Sequence, residues 1–405
     1  MMAFLKGLSD PNKRYFFLLA AVIISLPIQM NFNALWISLF SLNAILSFRR
    51  KDFETDKGLL LLYGFYLLFF ISSALSLIYS EDLDNGLIKI QTKLSFLLIP
   101  FAFASKLKNL GKSQIQWLLR SLILSVLACT IFCYLEGLYQ AIEQQDFIQL
   151  YDSYLSDPLM HRAYFSLFLG ISILLWWQDP KFLSKLRIPG IILFALTILL
   201  LQGRMNILAF LLVVAGIFIF KTAKSFSKKQ NILAISSAAV LILAFSLLPK
   251  KYNRFNQPLT FDYDLSAPST TDYTGLTIRL AIWDMAIPLV ENDRVLGLGI
   301  GDYKAELVKK YNEEGFVVGI KNKYNCHNQF IESYLSAGII SLLSLLGIFI
   351  LYLFYSFKTK NIFLSGMVLY FFISMITESL LERHWGISLI CIVIPLYLKG
   401  IKTED

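Results

Sequence analysis

The sequence predicts an all-α, polytopic membrane protein with about twelve transmembrane helices and one long polar loop late in the chain. Hydrophobic residues make up 56% of the 405 positions and charged residues only 16%, which is too apolar for a soluble globular protein. The apolar runs approach the roughly 20 residues that a helix needs to cross about 30 Å of hydrocarbon. The strands of an outer-membrane barrel are only about half as long, so the runs indicate helices.

Apolar segments divide the chain into three parts. Residues 1–248 hold predicted transmembrane helices 1–9, residues 249–332 form an outer loop with amphipathic helices, and residues 333–405 hold helices 10–12 and a short tail. The first segment runs into the second without a small-residue cleavage pattern, so we expect it to stay as an anchor. The segments are 15–30, 32–48, 58–79, 87–104, 115–137, 163–177, 188–202, 205–220, 231–248, 333–357, 362–379 and 385–398.

Basic residues predict how these helices are oriented. The net charge is +9, but Lys and Arg sit at helix ends, as in the pairs Lys13 with Arg14 and Lys358 with Lys360, and do not form a basic face that would bind nucleic acid. Short cytoplasmic loops collect Lys and Arg, which predicts that both termini are cytoplasmic. The acidic loop 138–162 and the long loop 249–332 then face outward.

Two arginines and a histidine mark the outer ends of predicted helices. Arg204 lies in the short turn Gln202-Gly203-Arg204-Met205-Asn206, either as an interfacial side chain that reaches the lipid headgroups or as an anion contact inside the bundle. His161 and Arg162 directly precede the predicted helix 163–177, where the imidazole can cap the helix or bind substrate.

The long loop contains three further features. Residues 277–291 have apolar residues at helical spacing and predict an amphipathic helix at the interface, with Arg279 in its first turn as a surface charge or a ligand contact. The run Gly297, Gly299, Gly301 lacks the strand unit and spacing of a dinucleotide site. It can instead approach a phosphate or pack closely against a neighbouring segment.

His327 is one of three histidines and lies just before the chain returns to an apolar helix. With Asn328 beside it, this side chain can cap that helix, or it can take a proton from a hydroxyl near neutral pH. Cys326 is expected to be the one cysteine that reaches the outer aqueous side. No Cys and His spacing fits a metal site, so no metal is predicted.

Taken in order, these features resemble the O-antigen ligase and polymerase superfamily of bacterial envelope glycan assembly. The resemblance includes the late outer loop, the turn at Gly203-Arg204, Ile278-Arg279-Leu280, the glycine run 297–301, Cys326-His327-Asn328, and Thr377-Glu378-Ser379-Leu380-Leu381-Glu382.

The resemblance implies a lipopolysaccharide O-antigen ligase-like glycosyltransferase of the bacterial inner membrane. It implies transfer of a glycan from undecaprenyl pyrophosphate to an acceptor hydroxyl, such as that of lipid A–core, on the periplasmic face, without metal or other cofactor. In this interpretation Arg204 and Arg279 hold the pyrophosphate and His327 acts on the acceptor. Lower-ranked candidates for shaping the site are Glu378, Glu382, Arg383, His161 and Arg162, with Asn328 and the three glycines.

Other activities fit the same pattern. A polymerase would use a second lipid-linked glycan as acceptor, and a protein O-oligosaccharyltransferase would use a protein. A flippase for lipid-linked sugars, from a different class, predicts charges midway along the helices, whereas here the charges are concentrated at their ends.

Overall fold

The computed structural model describes residues 10–222, 260–291 and 295–402, and over these ranges the chain forms helices and no strands. The predicted all-α class is therefore confirmed. The helices before the long loop are α1 Pro11–Ser25, α2 Met30–Leu46, α3 Lys57–Leu75, α4 Leu83–Lys93, α5 Ser95–Lys106, α6 Lys112–Gln144, α7 Asp152–Ser156, α8 Arg162–Gln178, α9 Ser184–Leu200 and α10 Arg204–Thr222. Those in and after the loop are α11 Gly275–Glu291, α12 Tyr303–Glu313, α13 Val317–Asn322, α14 Gln329–Lys358, α15 Ile362–Thr377, α16 His384–Ser388 and α17 Ile394–Lys402.

Several of these helices have the dimensions of membrane spans. Five helical stretches are long and apolar enough: Lys57–Tyr79, Leu83–Asn109, Lys112–Gln144, Gln329–Lys358 and His384–Lys402. Three further apolar helices are shorter: Met30–Leu46, Arg204–Phe220 and Ile362–Thr377. The predicted segment 231–248 lies outside the described residues. The protein is a multi-pass membrane protein, and the count of twelve spans stays a prediction.

One boundary differs clearly from the sequence prediction. Helix α6 continues to Gln144, well into the segment that was expected to be an outer loop. Side-chain hydrogen bonds between residues four apart extend it, from Gln140 to Glu136 at 3.0 Å and from Gln144 to Gln140 at 3.1 Å. The helix ends where Gln145 adopts a left-handed conformation with φ of 53°.

The loop helices build a second hydrophobic core beside the main one. Ala281, Ile282, Met285 and Ala286 of α11 are buried in it with residues of α12 and α13. Helix α11 begins at Gly275, two residues earlier than expected, because the Thr274 and Thr277 side chains accept hydrogen bonds from each other's backbone N–H. Arg279 therefore lies in the second turn, and the prediction of the first turn was wrong.

Helix α14 is broken near its start, and the glycine run fills the break. Ala337 and Gly338 leave helical geometry, with φ of 72° at Gly338. The N–H of Leu298 donates to the carbonyl of Leu335 at 2.7 Å, and the N–H of Ile339 donates to the carbonyl of Val295 at 2.9 Å. The incoming segment therefore replaces hydrogen bonds that the helix loses at the kink.

The same segment also fixes the turn between α3 and α4. The Asp302 carboxylate accepts hydrogen bonds from the N–H groups of Glu81 at 2.7 Å and Asp82 at 2.8 Å. Asn85 donates to the carbonyl of Gly301 at 2.6 Å. The glycine run thus packs closely between two membrane helices, which is the second of the two roles considered for it.

This packing predicts that Gly297→Ala is strongly destabilising. A Cβ at Gly297 would lie 2.7 Å from both Gly338 N and Tyr334 O, on a backbone with φ of +78°. We expect a loss of about 1–2 kcal/mol for the left-handed conformation and about 1–3 kcal/mol for overpacking, measured by thermal unfolding in detergent. Gly315 is the matched control, because its φ is +70° but nothing lies within 4 Å. Equal losses at both positions would contradict the packing role.

Candidate active site

Three arginines from different parts of the chain line one open cavity. It lies where the starts of α8, α10 and α11 meet the end of α15. Arg162, Arg204 and Arg279 contribute to its lining together with Glu378. A guanidinium group is permanently charged and can donate two parallel hydrogen bonds to two oxygens of one phosphate. The cavity therefore has the side chains of an anion site.

Two of these arginines stand at helix N-termini. Arg162 and Arg204 are the first residues of α8 and α10, and the Asn206 side chain joins the two starts by donating to the carbonyl of Ala163 at 3.1 Å. A cation at the positive end of a helix dipole costs about 0.3–1 kcal/mol, whereas an anion there is stabilised. Arg162 also pairs with Asp152 of α7. The arrangement is therefore better suited to holding an anion than to stabilising the helices.

Arg279 reaches the cavity from the loop and is held by several acceptors. Its Nε donates to the carbonyl of Thr377 at 2.7 Å, Nη1 donates to the carbonyl of Gly275, and Nη2 pairs with Glu378. The guanidinium plane is fixed by these bonds while its side chain keeps 18% exposure. This side chain connects the loop with the end of α15.

Glu378 joins Arg279 to His327. Its second carboxylate oxygen lies 3.2 Å from His327 Nδ1. Burial raises the pKa of Glu378, but Arg279, His327 and His161 lower it more, so that it lies well below its usual range. The ionised carboxylate can only accept a hydrogen bond from Nδ1, and in that tautomer Nε2 is the ring nitrogen that can accept a proton.

The backbone at His327 is strained. Its φ is 43°, a left-handed conformation that costs a non-glycine residue about 1–2 kcal/mol. Two asparagines hold it: Asn325 accepts from the His327 N–H at 3.2 Å, and Asn328 caps α14 by accepting from Phe330 and Ile331. Asn328 therefore shapes the turn that presents the imidazole.

The remaining predicted residues fall into separate places. His161 is the N-cap of α8, and its ring accepts from the Ala163 N–H at 3.4 Å. Burial lowers the pKa of His161, and the nearby Arg383 and His327 lower it further, whereas Glu378 raises it. Arg383 is exposed, and His161 keeps part of its surface open to solvent although its ring is partly shielded. Gly297, Gly299 and Gly301 are absent from the lining of the arginine cavity.

Glu382 belongs to a buried polar network next to the site. Its carboxylate pairs with Lys93 at 2.7 Å and Lys89 at 3.6 Å, and lies 3.0 Å from the Tyr303 hydroxyl oxygen. That hydroxyl also donates to Glu332 at 2.6 Å. The sequence reasoning missed Lys89, Lys93, Tyr303 and Glu332. The signal for the lysines was available, since they lie four residues apart in an otherwise apolar stretch.

Cys326 is fully buried in the second core, so the prediction that it reaches the aqueous side was wrong. Its side chain packs with those of α11 and α12, where the indole of Trp283 donates to the Cys326 carbonyl at 3.0 Å. In the part of the chain that the structure describes, no group of three or more His, Cys, Asp and Glu side chains could hold a metal ion.

Glu378→Gln is expected to destabilise the protein by roughly 1–3 kcal/mol at neutral pH, because it removes the charge between Arg279 and His327. The pKa of Glu378 is lower in the folded protein than its ordinary value of 4.5, so its charge stabilises the fold fully above about pH 4.5. This stabilisation is lost as the pH falls towards the lowered pKa. The gap in thermal midpoint between wild type and variant should therefore narrow below about pH 4.5. Glu306→Gln, from an exposed pair with Lys309, should show little effect at any pH.

One comparison with known proteins gives a match. Residues 189–346 match the family model Wzy_C, described as O-Antigen ligase. No curated protein matches the chain. The matched range contains Arg204, Arg279 and His327, whereas Arg162 precedes it and Glu378 follows it. Residues 189–346 are therefore similar to the O-antigen ligase family, and they lie within a multi-pass membrane protein.

Proposed function

We propose that this protein is an O-antigen ligase-like glycosyltransferase of the bacterial inner membrane. It transfers a glycan from undecaprenyl pyrophosphate to an acceptor hydroxyl on the periplasmic face, with lipid A–core as the leading acceptor. The observation that carries the proposal is the arginine cavity formed by Arg162, Arg204 and Arg279, with the His327 and Glu378 pair at its edge.

The chemistry follows from the donor. A sugar linked through its anomeric carbon to a pyrophosphate already has a good leaving group, whose negative charge increases as the bond to the sugar breaks. Arg204 and Arg279 stabilise that charge as fixed cations, a role that requires no metal ion. Arg162 and the N-termini of α8 and α10 add positive potential in the same place.

His327 acts on the acceptor. Its Nε2 takes the proton from the acceptor hydroxyl as the oxygen attacks the anomeric carbon from the face opposite the pyrophosphate. The carbon–oxygen bond to the pyrophosphate breaks, and its electron pair leaves with undecaprenyl pyrophosphate, so the anomeric configuration is inverted. Glu378 stabilises the imidazolium that forms, in the way a carboxylate supports a catalytic histidine.

The nature of the acceptor can be tested in cells that lack this protein. Long glycan polymer that is not attached to lipid A–core would show a missing ligase, whereas lipid A–core capped with single repeats would show a missing polymerase. Unmodified protein acceptors would indicate an oligosaccharyltransferase. Expression of wild type should restore the product, and His327→Ala at the same protein level should not.

A further inference from the structure

A single buried carboxylate holds together the two segments that carry His327 and Glu378. Glu332 lies in the first turn of α14 and is completely buried. One of its oxygens accepts from the Cys326 N–H at 3.0 Å and from the Ser379 hydroxyl at 2.6 Å. Cys326 directly precedes His327, and Ser379 directly follows Glu378, so one oxygen spans both sides of the pair.

We propose that Glu332 is the positioning residue that sets the contact between His327 and Glu378. This inference rests on the proposed function, since it assigns the contact a role in transfer. His327 precedes α14 and Glu378 follows α15, and a 3.2 Å contact between them requires both backbones to be fixed. A displacement of about 1 Å at a reacting group can cost about 10²-fold in rate.

The strained backbone explains why such a clamp is needed. The left-handed conformation of His327 would relax if the preceding peptide could rotate. Both polar atoms of the Cys326 backbone are engaged, because its N–H donates to Glu332 and its carbonyl accepts from Trp283. Glu332 bonds both Cys326 and Ser379, so it links the two segments, whereas the Trp283 indole bonds the Cys326 carbonyl only from α11.

The network behind Glu332 supplies its countercharge. The Tyr303 hydroxyl donates to the other Glu332 oxygen at 2.6 Å and receives a hydrogen bond from Lys89. A phenol donates only one proton, so the 3.0 Å contact with Glu382 is secondary. Lys89 and Lys93 balance the charges of Glu332 and Glu382, as buried carboxylates require. The clamp is thus anchored to α4.

Arg279 depends on this clamp only in part, and the other two arginines of the cavity, Arg162 and Arg204, begin α8 and α10. Arg279 is held by the carbonyls of Thr377 and Gly275 as well as by Glu378. Loss of Glu332 should therefore lower kcat and leave the donor KM nearly unchanged. A general loss of structure would affect both constants.

The test compares variants of Glu332 and Ser379 in the purified full-length protein, with a lipid-pyrophosphate glycan donor. Glu332→Leu should lower kcat about 10–100-fold, with donor KM changed by less than about 3-fold. Glu332→Gln should keep kcat within about 5-fold, since its amide oxygen can accept from Cys326 and Ser379 while its N–H₂ donates to Tyr303. Ser379→Ala, which removes one arm, should lower kcat about 3–10-fold.

Ser336→Ala is the matched control for the serine. Ser336 is buried like Ser379 and lies one helical turn after Glu332 on α14. Its hydroxyl donates within its own helix, to the carbonyl of Ser333 at 3.3 Å. Its kcat should equal that of wild type. If Glu332→Leu fails to fold, the comparison of Ser379→Ala with Ser336→Ala and of Glu332→Gln with wild type decides the proposal.

A second readout is independent of transfer. Cys326 is fully buried, and release of its N–H should let the segment open. Its labelling by a maleimide, located by mass spectrometry, should be about 10-fold faster in Glu332→Leu and unchanged in Ser336→Ala. Unchanged kcat and unchanged labelling in Glu332→Leu and Ser379→Ala would overturn the role of Glu332. Full transfer by His327→Ala would instead overturn the proposed function, whatever the labelling shows.

Discussion

Replacing His327 by alanine is expected to lower kcat for glycan transfer by about 10²–10⁴-fold, the range that general acid–base groups contribute. The imidazole is the titratable group that the structure places beside Glu378 and at the edge of the arginine cavity. The donor should still bind, because Arg162, Arg204 and Arg279 are untouched. Steady-state kinetics with purified protein measures both effects.

Lys321→Ala is the control for that variant. Lys321 is an exposed residue of α13, a few positions before His327 and outside the cavity lining. It should transfer at the wild-type rate. If His327→Ala had the wild-type kcat, His327 could not be the general base of the transfer. If His327→Ala kept its kcat but bound the donor more weakly, His327 would be a donor-binding residue and not the base.

Arg279→Lys is expected to lower kcat/KM by about 10²-fold, even though the positive charge is kept. Lysine has one ammonium group and cannot reproduce the fork that contacts Thr377, Gly275 and Glu378 together. Removal of one donor to a developing oxyanion commonly costs about 10²–10³-fold. Arg279→Ala should be worse, because it also leaves the Glu378 carboxylate without its partner.

Arg120→Lys provides a matched control. Arg120 pairs with Asp179 at 2.7 Å through its Nε and is also partly exposed. Asp179 follows the end of α8, about 25 Å from the Arg162 end at 1.5 Å per residue. The control should keep kcat/KM within about 2-fold. Equal losses in the two variants would mean that Arg279 supports the fold and not the transfer.

The sequence was sufficient for the all-α class, because long apolar runs have few alternatives in a membrane. It also pointed to Arg204, Arg279 and His327 as candidates, since a charge beside an apolar run is costly without a role, and their role in transfer stays a prediction. The resemblance to O-antigen ligases named the same three residues. The proximity of Arg204 and Arg279 to Arg162 could not be read from spacing, because it depends on how the starts of α8 and α10 are joined by Asn206.

Glu332 could not be assigned a role from the sequence. As a carboxylate in the first turn of a helix, it looks like an ordinary favourable charge for the helix dipole. Its function depends on contacts with Cys326, Tyr303 and Ser379, which come from three separate elements. The glycine run did suggest a role from the sequence, but it suggested two. Close backbone packing and phosphate binding both favour glycine, so the sequence could not distinguish them.

Transfer by purified protein in detergent is the most direct test of the proposed function. Wild type would be given an undecaprenyl-pyrophosphate glycan with either lipid A–core or a second donor molecule, with a chelator present, and the products analysed by mass spectrometry. The mechanism predicts glycan joined to lipid A–core, release of undecaprenyl pyrophosphate, and product formation at least about 10²-fold slower with His327→Ala. Movement of the donor across sealed vesicles with no covalent product in detergent would contradict it.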